Sequence, residues 1–159
     1  MTKTLPIPLR FQLPAGWRPA PPEEVGAPGA AFVALQPDRA DGFVANITVD
    51  GNLRPDRPEL ATVADDSVDR LRHTGAVEIA DRQHVGTDAV PGLNQVLRLS
   101  TTAGGAALDL VQCQVYLGLA DESDPARYAV VEMVLTATPA QLPDVIDDFQ
   151  RFVASVQTP

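Results

Sequence analysis

Leu108-Asp109-Leu110-Val111-Gln112-Cys113-Gln114-Val115-Tyr116-Leu117-Gly118-Leu119, an interruption at Asp121-Glu122-Ser123-Asp124-Pro125, and then Tyr128-Ala129-Val130-Val131-Glu132-Met133-Val134-Leu135-Thr136-Ala137: these residues decide the fold. A parallel connection needs a dozen residues or more, so two runs this close must pair antiparallel. Val77–Val85 and Leu93–Thr101 read the same way, bounded by turn signals at Asp88 to Gly92 and at Ala103-Gly104-Gly105. The four runs form a meander. Thr138-Pro139-Ala140-Gln141 follows, a capping-box pattern with proline at the first helical position. Leu142, Val145, Ile146, Phe149, Phe152, Val153 and Val156 then keep one helical face apolar. Pro143 removes an early hydrogen bond, so the regular helix is expected to begin only there.

Upstream of the meander, proline sets the pattern. Ten of the 15 prolines precede Glu59, which makes the first third extended and rich in turns. Pro19-Ala20-Pro21-Pro22-Glu23-Glu24 reads as an exposed connector between Phe11-Gln12-Leu13 and Ala31-Phe32-Val33-Ala34-Leu35. Gly42 opens Phe43 to Val49, a half-buried strand with Phe43, Ala45, Ile47 and Val49 on one face. Asp56 as cap and Glu59 as capping-box acid predict a first helix over Arg57 to His73, stopped by a left-handed Gly75. Leu60, Val63, Ala64, Val68 and Leu71 supply its apolar stripe. The expected architecture is α+β: a single antiparallel sheet of about six strands flanked by two main helices. One domain over residues 1–159 is expected, with 1–10 and 157–159 as loosely ordered tails.

Composition narrows the function. A chain of 159 residues leaves no room for two well-packed domains. Its core must be aliphatic, because only 5% of residues are aromatic while valine and leucine number 18 and 16. A formal net charge of -9 argues against nucleic acid. No apolar run approaches the roughly 18 residues of a membrane span, and the first ten residues lack a signal-like apolar core or a lipid-acceptor cysteine. A cytoplasmic location is therefore expected. Eleven arginines against one lysine, with abundant alanine, suggest a bacterial source rich in GC.

Chemistry-bearing residues are few. Cys113, the sole cysteine, sits among Val111, Val115 and Leu117 and reads as a small buried hydrophobe with an inert thiol. His73 and His84 lack metal-binding spacing, and the loop Asp121 to Asp124 lacks the spaced ligands of a calcium loop. Gly104-Gly105 reads as a hairpin turn, not a phosphate cradle, and Asn46-Ile47-Thr48 as an incidental sequon. No catalytic residue, metal site or cofactor is expected. Asp65, Asp66 and Asp69 mark an acidic face on the first helix, with Asp66–Arg70 and Asp69–Arg72 at salt-bridge spacing. On the sheet, even positions place Asn46, Thr48, Arg98, Gln112, Gln114, Tyr116 and Glu132 opposite the main core. Val44, Val96, Val130 and Val134 interrupt them, a mixture that suits partial cover by a helix with a polar groove left open. On a plain solvated face, Arg98 and Glu132 would instead be a cross-strand pair.

Several soft motifs recur together: Leu13-Pro14-Ala15-Gly16-Trp17, the strand Gly42 to Val49, the long meander, and the closing helix Phe149-Gln150-Arg151-Phe152-Val153-Ala154-Ser155-Val156. In this order they resemble the actinobacterial LpqN/LpqT group within the fold family of PsbP, DcrB and the Ran-binding Mog protein. The resemblance implies an α/β/α sandwich and a non-catalytic role as adaptor, chaperone or assembly factor. LpqN-type proteins typically carry a lipoprotein signal, which this chain does not show, so the cytoplasmic relatives are the better guide. The expected function is a protein-interaction module whose partner has a basic surface. The alternative is a binding domain for a small polar or amphipathic ligand, held between sheet and helix.

Overall fold

The computed structural model describes residues 3–25, 27, 29–37, 43–103 and 105–158. Gly42, Gly104 and Pro28 lie outside the described residues. The elements are β1 (Arg18–Ala20), β2 (Phe32–Leu35), β3 (Asn46–Leu53), α1 (Leu60–Arg72), β4 (Ala76–Gly86), β5 (Pro91–Ala103), β6 (Ala106–Ala120), β7 (Tyr128–Ala137) and α2 (Leu142–Ser155). Seven strands form one antiparallel sheet in the order β1-β2-β3-β7-β6-β5-β4. The expected antiparallel α+β architecture is present, with one strand more than expected.

The extra strand corrects the reading of the proline-rich region. Arg18–Ala20, which overlaps the start of the Pro19 to Glu24 segment that reads as connector, pairs with Val33–Leu35. At the sheet edge, Pro19 is tolerated because an edge strand leaves one row of N–H groups unpaired. Phe11 to Leu13 are not a strand. They belong to an arm, residues 3–13, laid against the core by Leu5, Leu9, Phe11 and Leu13. Residues 3–10 are thus docked, not loose: Ile7 is 3% exposed, and Arg10 exchanges two backbone hydrogen bonds with Gln157.

Local chemistry shifts both ends of α1. Asp56 does not cap it, because its carboxylate takes two hydrogen bonds from the Arg54 guanidinium. The helix begins at Leu60 behind Glu59, whose side chain makes no cap bond. Gly75 is not left-handed. A Cβ there would strike the Ser100 carbonyl, so close approach of two backbones accounts for the glycine. At α2 the capping-box expectation is realised. The Thr138 N–H donates to Gln141 Oε1 at 3.0 Å and the Gln141 N–H to Thr138 Oγ1 at 3.2 Å. The regular helix starts one residue before Pro143.

The helices take opposite faces of the sheet. The α2 stripe of Val145, Phe149 and Phe152 covers Ile47, Val49, Cys113, Val115, Val131, Met133 and Leu135 in the larger core. Burial of that stripe, about 1.5–3 kcal/mol for each large side chain, holds α2 down. The α1 side chains Leu60 and Ala64 cover Leu93, Tyr116, Tyr128 and Val130. Gly118 makes room there for the Tyr128 ring, which a Cβ would overlap.

Candidate functional site

Under α1 the sheet presents amides. The buried stripe of that helix includes Ser67 between Ala64 and Val68. Beneath it, Gln95 and Gln114 stand directly opposite each other on β5 and β6, both at most 2% exposed. Gln95 Nε2 donates to Gln114 Oε1 at 2.6 Å, and the Tyr116 hydroxyl donates to the same oxygen at 2.8 Å. Gln114 Nε2 donates to Gln112 Oε1 at 2.9 Å and to Ser67 Oγ at 3.4 Å. The Gln114 amide therefore uses all four of its bonding positions inside the protein. Gln95 Oε1 accepts from Arg82 Nε and Nη2, while Arg82 Nη1 reaches Asp65 at 2.7 Å. A continuous chain of hydrogen bonds runs from exposed Asp65 to buried Tyr116.

Beside this network lies a small polar cavity of about 120 Å3 between α1, β3 and β7. Asp50, Arg54, Asp66, Arg70 and Glu132 line it. Burial pushes the Glu132 carboxyl above its ordinary value, and Arg70 opposes the shift while Asp50 adds to it. The Tyr116 phenol is also pushed up, first by burial and then by the Glu132 charge. The Lys3 ammonium stands 2.7 Å from Asp50 and ties the arm to this corner. Among the described residues, no three His, Cys, Asp or Glu side chains are arranged to hold a metal ion.

The seven candidate groove residues divide. Gln112, Gln114, Tyr116 and Glu132 share the α1 face with Thr48 and Asn46. Asn46 turns its amide back to the Val44 carbonyl. Arg98 belongs elsewhere. It stands opposite Val111, so it lies on the α2 face, because β5 enters the sheet with the opposite parity. No Arg98–Glu132 pair exists, since β6 separates their strands. On α1, Asp69 and Arg72 approach to 3.9 Å as spacing suggests, whereas Asp65 pairs with Arg82 and Asp66 faces the cavity with Arg70.

The other face carries an open groove. Between α2 and the strands β4, β5 and β6 runs a groove of about 330 Å3. Val96, Cys113 and Val115 form its floor, Ile146, Phe149 and Val153 its helical wall, and Asp81, Gln83 and Asn94 its strand side. Cys113 is 8% exposed, and burial pushes its thiol pKa up. Sequence reasoning missed this groove, because it is a gap between elements and no local pattern marks it. Ile146 and Val153 flank the helical stripe, and both are only half-buried. The opposite flank of α2 is filled by the arm, with Phe11 set between Phe32 and Phe152 at centroid distances of 4.9 and 5.0 Å. Trp17, from the Leu13 to Trp17 motif, donates its indole N–H to Asp148 on α2 at 3.0 Å. That motif is a clasp for the helix.

No family model matches the chain, and no curated protein matches it. Solved structures do match. LpqN of Mycobacterium tuberculosis, described as involved in cell envelope biogenesis, superposes with a TM-score of 0.68 at 14% identity, over 95% of this chain and 83% of that one. The cyanobacterial PsbP of Synechocystis gives 0.63 at 14% identity over 95% and 86%. The Ran-binding protein Mog1p of Saccharomyces cerevisiae gives 0.58 at 13% identity over 94% and 89%. Identities this low establish architecture alone: the chain has the fold shared by LpqN, PsbP and Mog1p.

Proposed function

We propose that this chain is a non-catalytic protein-interaction module, an adaptor, chaperone or assembly factor, and that its partner presents a basic surface. One observation carries the reading. The glutamine network under α1 is closed by its own hydrogen bonds, whereas the groove beside α2, floored by Val96, Cys113 and Val115, stands open with exposed Asp81 on its strand side. The net charge of -9 favours a basic partner and disfavours nucleic acid. The Mog1p structure is described as that of a Ran-binding protein, and transfer of that kind of role to this chain is part of the proposal. Support for a non-catalytic role comes from the reactive side chains themselves. The Cys113 thiol is pushed up in pKa, and the His73 ring is engaged with the Asp69 carbonyl. A cytoplasmic location completes the proposal and is tested by fractionation. Among the described residues, no helix is long and apolar enough to cross a membrane.

A small amphipathic ligand is the second reading, favoured by the groove volume, which lies within the range of ligand pockets. A photo-cross-linking residue at Gln150, which lines the groove, or at Thr62 on α1 separates the readings in the native host. A protein adduct from Gln150 and none from Thr62 is expected. Adducts from Thr62 alone would move the site to the acidic face of α1, and no protein adduct from either position would sink the reading.

A further inference from the structure

Resting on that reading, we infer that the groove beside α2 receives a partner segment in extended conformation, apolar at every second residue and basic between. The chain's own arm shows how this face of the sheet is covered. Residues 3–13 contain no helix, and they lay Leu5, Leu9, Phe11 and Leu13 against the core on one flank of α2. Backbone bonds between Arg10 and Gln157, and from the Gln12 N–H to Ser155 Oγ, hold them there. The other flank has the same ingredients and no occupant from the described residues: a helix wall, a strip of sheet, and half-buried Val96, Ile146 and Val153.

The shape of the apolar surface selects the occupant. On this face the strand side carries Glu78, Asp81, Gln83, Asn94, Arg98 and Ser100, all exposed. Apolar surface on this face is continuous only in the seam along α2, with exposed Val85 and Ala76 as separate apolar positions on β4. A helix needs an apolar stripe some 100° wide, and seating one here would bury those polar groups without partners. An extended segment needs only one apolar side chain about every 6.8 Å, and its alternate residues turn to the polar strand side. Asp81 lines the groove, and with the chain's net charge of -9 it makes lysine or arginine the complementary residue at those alternate positions.

The test uses the intact chain and two fluorescein-labelled peptides of one composition, leucine alternating with lysine in the first and leucine at helical spacing in the second. Equal charge cancels non-specific attraction to an acidic protein. Fluorescence anisotropy at physiological salt should show the alternating peptide binding about tenfold more tightly or better. Asp81→Lys should weaken it by about fivefold or more, while Glu59→Lys, the same charge change near α1, should alter it by less than about twofold. Bound peptide should also slow labelling of Cys113, whose sulfur lies on the groove floor. Equal or tighter binding of the helical peptide would overturn the inference. Failure of both peptides, or retention of dodecyltrimethylammonium alone, would do the same. A protein adduct at Gln150 combined with peptide failure would remove the extended-segment inference and leave the interaction reading standing. Absence of any protein adduct would remove the interaction reading itself.

Discussion

The two faces of this sheet are built on different physics. Under α2 the contacts are valine, leucine, methionine and phenylalanine, and stability there scales with apolar area and packing. Under α1 the centre is a hydrogen-bonded set of Gln95, Gln112, Gln114, Tyr116 and Ser67 with an arginine at its edge. Net stabilisation per hydrogen bond is only about 0.5–1.5 kcal/mol, yet each partner left bare costs more than that. The α2 face thus tolerates imperfect fit and can leave a groove open. The α1 face must be complete or fail, which makes it a poor place to receive a ligand and a good place to fix the helix in one register.

Four substitutions put this contrast at risk, in falling order of expected effect. Phe152→Ala, at a residue with no exposed surface and against Phe11, should cost about 3–5 kcal/mol in chemical denaturation. A loss below that of the polar-face variants would reverse the contrast. Gln114→Leu should cost about 2–3 kcal/mol by baring Gln95, Gln112 and Tyr116 together. If the paired change of Gln95 and Gln114 to leucine is no milder than the single one, the network is not acting as a unit. Glu132 supplies a pH signature. Its folded pKa lies above the unfolded one, so its stabilising contribution is present below the unfolded pKa and is lost as pH rises toward the folded value. Glu132→Gln should flatten that fall in melting temperature above pH 4.5, and an unchanged slope would assign it to other groups. Asp65→Asn should be smallest, below about 1 kcal/mol, because Asp65 is exposed and its bond to Arg82 is screened by water.

Legibility in the sequence followed the length of the periodic signal. The meander and α2 were readable because ten or more residues kept one period and the turns carried glycine, proline or aspartate. β1 was hidden, since Arg18-Pro19-Ala20 has no strand chemistry of its own and forms only because β2 offers an edge. The face of Arg98 was misread through parity. Counting odd and even residues along the chain assumes every strand enters the sheet in the same phase, and β5 does not. Gln112, Gln114 and Tyr116 were placed on the correct face, but their saturation by Ser67 and Gln95 depends on where α1 lands. No local pattern carries that. The groove beside α2 was out of reach for a similar reason: it is a gap between elements, and its strand side is contributed by exposed residues that read as ordinary solvated positions.

The sheet order also has a consequence for how the chain finds its structure. Neighbours from β4 through β7 are consecutive in sequence, and Ala120 meets Tyr128 only 8 positions away. At the centre of the sheet, β3 must find β7, and Leu53 meets Ala129 across 76 positions. Lengthening a closing loop about ninefold adds roughly 2 kcal/mol of entropy cost. The C-terminal meander can therefore assemble from local contacts, whereas β1 to β3 join late and all through β7. That strand is the hinge of the folding problem, and partial unfolding is expected to release the N-terminal third first. The arm and β3 would leave together, and the surface they bare is the far flank of α2.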